Sequence, residues 1–386
     1  MKISVIAPLN LPIPAVKGGA IETLIDYFID ENIKANQYEL NVFSYNDKNQ
    51  VVKKNKFTNY VYIKRGLVSK VKYYMSYKIK NKLFCPTIIT KALEYKTDVI
   101  IVEGNKYYVE HIPNNINSKI VLHIHHEAFR DRNETNYNIL TKLDCIICVS
   151  EYIKNVCITT YPEFKDKFVV LRNCCNNDFF EIDRNINNID IRKKYNIKDD
   201  EFIVTYIGRI TREKGVKELM QAVEMCDNKT VLMIVGNSSF GAVKTSSYMD
   251  EVKKIIENSD RRIIFTGQVS HSEIPNYLLA SNVQVVPSIW EDPAPLAVIE
   301  GVVLRIPLIV TNSGGILEYL PTDYKFIANK SNNLPSQLKV LIEEMKNYDR
   351  QIIFNDFNNI RESLSTKIYF EEFTKIINSC VNGGTK

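Results

Sequence analysis

At 386 residues the chain exceeds what one ordinary hydrophobic core serves, so two domains are the starting expectation. Its 45% hydrophobic and 25% charged residues are those of a folded globular protein, and no run approaches the roughly 18 to 20 apolar residues of a membrane-spanning helix. The net charge of +5 is unevenly spread: Lys48 to Leu93 holds twelve basic residues and no acidic one, which leaves the rest of the chain at about −7.

Met1 to Pro8 reads as a buried strand running into a loop marked by Pro8, Pro12 and Pro14. A secretory signal needs a longer apolar core and a small-residue cleavage site, so a cytoplasmic location is the expectation. Further strands are expected at Leu40–Tyr45, Tyr60–Ile63, Val99–Glu103, Ile120–His125, Cys145–Val149 and Phe168–Leu171, with helical patterns at Ala20–Lys34 and Ser150–Tyr161. Strands apolar throughout and separated by helices indicate a parallel sheet covered on both faces. Arg172 to Asp200 is polar and rich in Asn and Asp, as expected of a linker followed by a small helix.

The alternation then restarts. Strands are expected at Phe202–Ile207, Val231–Val235, Ile263–Thr266, Val283–Val286, Leu308–Thr311 and Lys325–Ile327. Helices are expected at Val216–Met225, Met249–Ile256, Ser272–Leu279 and Leu296–Leu304, and from about Leu334 to the end. The chain thus reads as two doubly wound α/β domains in tandem. Eight cysteines are scattered through it, and Cys145 and Cys148 would point to opposite faces of one strand, so buried, reduced thiols are expected.

In such sheets ligands sit beyond the carboxyl ends of the strands. Five clusters fall there. Gly18-Gly19 precede a helix start, where free N–H groups suit an anion. His123, His125, His126 and Glu127 close another strand; they suit a metal, a polar contact to substrate, or a structural role. Arg209 and Lys214, with Gly208 and Gly215, share one strand-to-helix loop, and two cations beside a helix start suit a diphosphate. Asp292 lies in a loop held out of helix by Pro293 and Pro295, and Glu300 sits in an otherwise apolar helix, where a carboxylate needs a partner such as a ribose or sugar hydroxyl. Asn312 to Glu318 is a second glycine turn expected to open a helix.

The strings IGRITREKGVKELMQA, VPSIWEDPAPLAVIEG and IVTNSGGILEYL resemble the donor half of glycosyltransferase family 4, which has the GT-B fold. APLNLPIPAVKGGAIETLID and KIVLHIHHE resemble its acceptor half, and VLRNCCNNDFF the segment before the hinge. The resemblance implies two Rossmann-like domains facing a cleft. Residues 1–175 would bind the acceptor, joined by a crossover helix in about 366–386, and 176–365 would bind a nucleotide sugar. Arg209 and Lys214 would hold the donor diphosphate, and Glu300 the ribose. Asp292 takes the place of the family's first Glu, one methylene shorter. Pro293, Ala294, Pro295 and Leu296 would form the turn near sugar and diphosphate, and Gly267, Gln268 and Val269 the surroundings of the base. His125 would lie beside the reacting sugar, and Gly18 and Gly19 would complete the site on domain closure.

The implied reaction is a retaining transfer of a hexose from a UDP-sugar to a saccharide or lipid-linked acceptor, as in capsule, lipopolysaccharide or spore-coat synthesis, with no metal and no cofactor. Segment 48–93, with Lys70, Lys72, Lys78, Lys80 and Lys82 among aromatic and aliphatic residues, could rest on an anionic membrane; no nucleic-acid partner is expected. Two other functions fit two α/β domains: a nucleotide-sugar epimerase of the same fold, and a two-domain ligand-binding protein without activity.

Overall fold

The structure, a computed structural model, describes residues 1–8, 11–45, 55–63, 87–182, 191–237 and 247–383. Most of segment 48–93, including Lys70, Lys72, Lys78, Lys80 and Lys82, lies outside the described residues. The chain divides into two compact units, Met1–Asn173 with Thr366–Lys386, and Cys174–Ser365.

The first unit is built on a seven-stranded sheet. Its strands are β1 (Lys2–Ile6), β2 (Glu39–Tyr45), β3 (Thr58–Ile63), β4 (Val99–Glu103), β5 (Lys119–Ile124), β6 (Cys145–Cys148) and β7 (Phe168–Val170). Every pairing is parallel, in the order β3-β2-β1-β4-β5-β6-β7. The runs VIIV and KIVLHI are apolar on both faces because helices cover both, and β4 is buried at each of its five positions. Helix α1 (Ala20–Ala35) follows β1 and buries Leu24, Ile25, Phe28, Ile29 and Asn32, a single stripe at helical spacing. It ends at Asn36 in the left-handed region, and Asn32 exchanges two hydrogen bonds with the backbone of Tyr38, which aims the chain into β2. Helices α2 (Glu134–Lys142) and α3 (Glu151–Thr160) start at Asn133 and Ser150, whose side chains accept N–H groups of the first turn.

The second unit has a six-stranded sheet, order β10-β9-β8-β11-β12-β13, again wholly parallel. The strands are β8 (Phe202–Ile207), β9 (Thr230–Val235), β10 (Arg262–Gly267), β11 (Val283–Val286), β12 (Leu308–Thr311) and β13 (Ile327–Ala328). Its helices include α4 (Asp178–Glu181), α5 (Val216–Glu224), α6 (Ser247–Glu257), α7 (Ile274–Ala280), α8 (Leu296–Val303), α9 (Leu334–Lys346) and α10 (Arg350–Arg361). The expected linker, Arg172 to Asp200, holds the boundary between the two units and a small helix, α4. Among its described residues, Phe179 enters the core of the second unit, and Cys175 donates its N–H to Leu364 O at 2.8 Å. Polarity marked its surface side, and single apolar residues hold it down.

The last helix, α11 (Thr366–Val381), belongs to the first unit. Thr366 Oγ1 donates to Glu31 Oε1 at 2.6 Å, and Phe373 lies against Phe28 with ring centroids 4.6 Å apart. All seven described cysteines are free and buried. Cys145 meets Cys380 of α11, which together with burial raises the Cys145 thiol, and burial and then Cys157 of α3 raise that of Cys148. No described helix is long and apolar enough to cross a membrane.

Candidate functional site

Each sheet reverses its strand order once, between β1 and β4 and between β8 and β11. At such a place the loops leaving the two strands part in opposite directions and open a crevice. In the second unit these loops carry Arg209 and Lys214 after β8, and Asp292 and then Glu300 after β11.

The loop 208–215 ends in a tight turn at Arg212–Lys214 closed by Gly215 at φ 71. A Cβ on Gly215 would overlap the carbonyl of Pro287, so only glycine lets the β8 loop lie against the β11 loop. Gly314, at φ 53, does the same from the β12 side: its Cβ would overlap the backbone of Asp292. The Asp292 loop is thus clasped between two glycine turns. Gly315 N–H donates to Asp292 O at 2.9 Å, and Ile289 N–H to Glu213 O at 3.0 Å.

This clasp brings the carboxylate of Asp292, 4% exposed, onto the ammonium of Lys214 as an ion pair. Ser288 Oγ donates to the same carboxylate at 3.1 Å, and Lys214 Nζ lies 5.5 Å from the Trp290 ring centroid. Arg209 is exposed and joins no part of this group, while its carbonyl accepts the hydroxyl of buried Tyr206 at 2.5 Å. Pro293 and Pro295 have no N–H to offer, but Pro295 leaves the start of α8 without a side-chain cap, so N–H groups there remain for an anion. Pro293 and Pro295 are buried, and Ala294 and Leu296 half-buried.

Glu300, in the second turn of α8, is 6% exposed. The partner it needs is His271, whose Nε2 lies 2.7 Å from Glu300 Oε1 and whose ring packs 5.3 Å from that of Phe179. Burial presses the imidazole down, yet the hydrogen bond and charge of Glu300 outweigh it and raise His271. His271 escapes a sequence reading because 29 residues separate the pair. Gly267 ends β10, Gln268 is exposed and Val269 packs on the core, just ahead of His271.

The glycine turn 312–318 opens only a short turn, Ile316–Tyr319, and not the expected helix. Its first half is committed to the Asp292 clasp, and Pro321 bars continuation.

In the first unit, Gly18 and Gly19 follow β1, and Gly19 precedes α1 with no side-chain cap. His125 follows β5. Its expected companion His123 is claimed by a residue the sequence did not single out, Glu103, the last residue of β4. Glu103 is paired in register with His123. Its Oε2 lies 3.1 Å from His123 Nδ1 and 3.1 Å from His125 Nε2, and the two rings are 4.2 Å apart. Burial would raise the Glu103 carboxyl, but His123 and then His125 hold it down at about 2. Burial, then the neighbouring His123, press His125 down to about 4 against the pull of Glu103. His126 is lowered as well, by burial and by Lys106. The ligand atoms of Glu103, His123 and His125 lie within 4.8 Å of one another, a spacing that can hold a divalent cation and that equally lets both rings hydrogen-bond to one carboxylate.

Comparison with known proteins gives this geometry a context. Residues 187–353 match the family described as Glycosyl transferases group 1. The Bacillus subtilis protein named "Putative glycosyltransferase YtcC" is 25% identical over 394 residues, covering 98% of this chain and 91% of that protein. Sucrose-phosphate synthase of Thermosynechococcus elongatus superposes with a TM-score of 0.80 at 17% identity, covering all of both chains. Anabaena Alr3699/HepE, solved in complex with UDP-glucose, superposes with a TM-score of 0.74 at 15% identity over 98% of this chain and 100% of that one. The chain therefore has the two-unit GT-B fold, and residues 187–353, in its second unit, are similar to the glycosyl transferases group 1 family.

Proposed function

We propose that the chain is a retaining glycosyltransferase that moves a hexose from a UDP-sugar to a saccharide or lipid-linked acceptor in cell-surface polysaccharide synthesis. One observation carries the reading most: Lys214, Asp292 and Glu300 leave the two strands that flank the strand-order reversal of the matched domain, already partnered and nearly buried. The complex of Anabaena Alr3699/HepE with UDP-glucose supports a UDP-linked donor.

Lys214 and Arg209 take the charge that develops on the leaving diphosphate, aided by the N–H groups at the start of α8. Asp292 holds Lys214 in place before the donor arrives, so little reorganisation is needed at reaction. Glu300, steadied by His271, accepts hydrogen bonds from ribose hydroxyls. Gly267, Gln268 and Val269 surround the base, and His125 lies beside the transferred sugar. A retaining glycosidase would use two carboxylates about 5 Å apart, one as nucleophile. Here Asp292 and Glu300 are tied to Lys214 and His271, which favours attack on the same face as the departing diphosphate. That diphosphate then takes the acceptor's proton, and the lysine and arginine do the work of a metal.

The test is a thermal-shift screen of nucleotide sugars, followed by NMR of the product formed with the best donor. An α-linked product from an α-linked donor is expected. An inverted product contradicts the retaining mechanism, and conversion of donor to an epimer without acceptor would make the chain an epimerase.

A further inference from the structure

We propose that Glu103 is a positioning residue that fixes the tautomer of His125, so that the ring offers an acceptor nitrogen to a hydroxyl of a neutral sugar and rejects a carboxylate. The inference rests on His125 lying beside the sugar, and it deepens that assignment by naming the class of donor.

β4 and β5 run parallel and in register, which sets Glu103 against His123, and the chain just past the end of β5 brings His125 to the same carboxylate. One carboxylate therefore meets two imidazoles, with Oε2 3.1 Å from each. Glu103 is ionised at neutral pH, so it can only accept. His125 is neutral there, with one ring proton to place. Placed on Nε2 it meets the carboxylate; placed on Nδ1 it would leave two lone pairs facing each other at 3.1 Å in a buried site. The proton therefore sits on Nε2, and Nδ1 carries a lone pair.

His123 occupies the rest of the carboxylate from Nδ1, and its Nε2 is buried with no hydrogen-bond partner. That ring is 1% exposed, against 10% for His125, so His125 is the ring a ligand can reach. What it presents is a lone pair above a buried negative charge. A sugar hydroxyl can donate to it. A sugar carboxylate would meet two acceptors and a like charge.

The experiment uses the full chain labelled with ¹⁵N at histidine, wild type and Glu103→Gln, with UDP-glucose and UDP-glucuronate as probes. Long-range ¹H–¹⁵N spectra at pH 7 without donor should show His125 protonated at Nε2 and bare at Nδ1. In Glu103→Gln, where an amide shares the work of the carboxylate, that preference should weaken. Turnover of UDP-glucose should fall at least tenfold while inhibition by UDP, which has no sugar, stays within threefold. Wild type should favour UDP-glucose over UDP-glucuronate by a hundredfold or more.

A His125 protonated at Nδ1 overturns the proposal, as does a Glu103→Gln enzyme within twofold of wild type. Equal use of the two donors overturns the exclusion of carboxylates. Zinc-dependent shifts of both rings, reversed by chelator, would replace the hydrogen-bonded arrangement with a metal site. If no nucleotide sugar is turned over but the tautomer is as stated, the transferase reading fails and the positioning by Glu103 stands.

Discussion

Charged pairs decide this molecule at the level of single residues, and their pH dependence separates them. Glu103 and His125 titrate below their ordinary values of 4.5 and 6.5, at about 2 and about 4. The unfolded chain therefore binds more protons than the folded one between about 6.5 and 4 at His125 and between about 4.5 and 2 at Glu103, so stability falls on acidification through those windows. His271 has the opposite sign. Its folded value is raised, so the stability it contributes is full below 6.5 and fades as pH rises through the raised value. Urea unfolding between pH 4 and 8 should show wild type losing stability on the acid side, with that loss reduced in His125→Gln and the alkaline-side loss reduced in His271→Ala. His271→Ala should also raise the donor KM severalfold with little change in kcat, because Glu300 loses its support before and during reaction alike. An unchanged KM would leave His271 a structural role only.

At the level of elements, the site is made by two glycine turns and one helix. Gly314→Ala and Gly215→Ala each force a Cβ into backbone of the Asp292 loop, at positive φ. Each should cost about 1–3 kcal/mol or more and lower the melting temperature by several degrees. Wild-type melting in both variants would mean that the clasp is not rigid. Phe373→Ala, which empties a fully buried contact between α11 and α1, should cost about 3–5 kcal/mol by the ordinary penalty for losing a core aromatic. Chemical denaturation reads this directly, and a cost under 1 kcal/mol would show that α11 does not hold the first unit together.

The same elements show why the sequence spoke clearly in some places and not in others. β4, β8 and β9 are unbroken apolar, β-branched runs bounded by turns, which only a strand covered on both faces explains. α1 and α5 carry apolar residues at helical spacing and were equally plain. Lys214, Asp292 and Glu300 stood out as charges in loops or apolar faces just after such runs. Glu103 did not, because a carboxylate ending a buried strand looks like the strand's exit to solvent until its two histidines are placed against it. His271 lay in a polar turn with nothing local to mark it. The turn 312–318 misled because glycines that serve a neighbouring loop look the same as glycines that open a helix.

For the whole molecule, the proposed transfer requires a lysine, steadied by an aspartate, to replace a metal in stabilising a departing diphosphate. Sugar transfer in excess chelator is the direct test, measured at steady state for wild type and Lys214→Ala. Wild type should keep its full rate, and the variant should lose a hundredfold or more, on the order of 3 kcal/mol of transition-state stabilisation. Near-normal turnover in Lys214→Ala, or wild-type activity that vanishes with chelator and returns only with added metal, would rule out this role for the lysine.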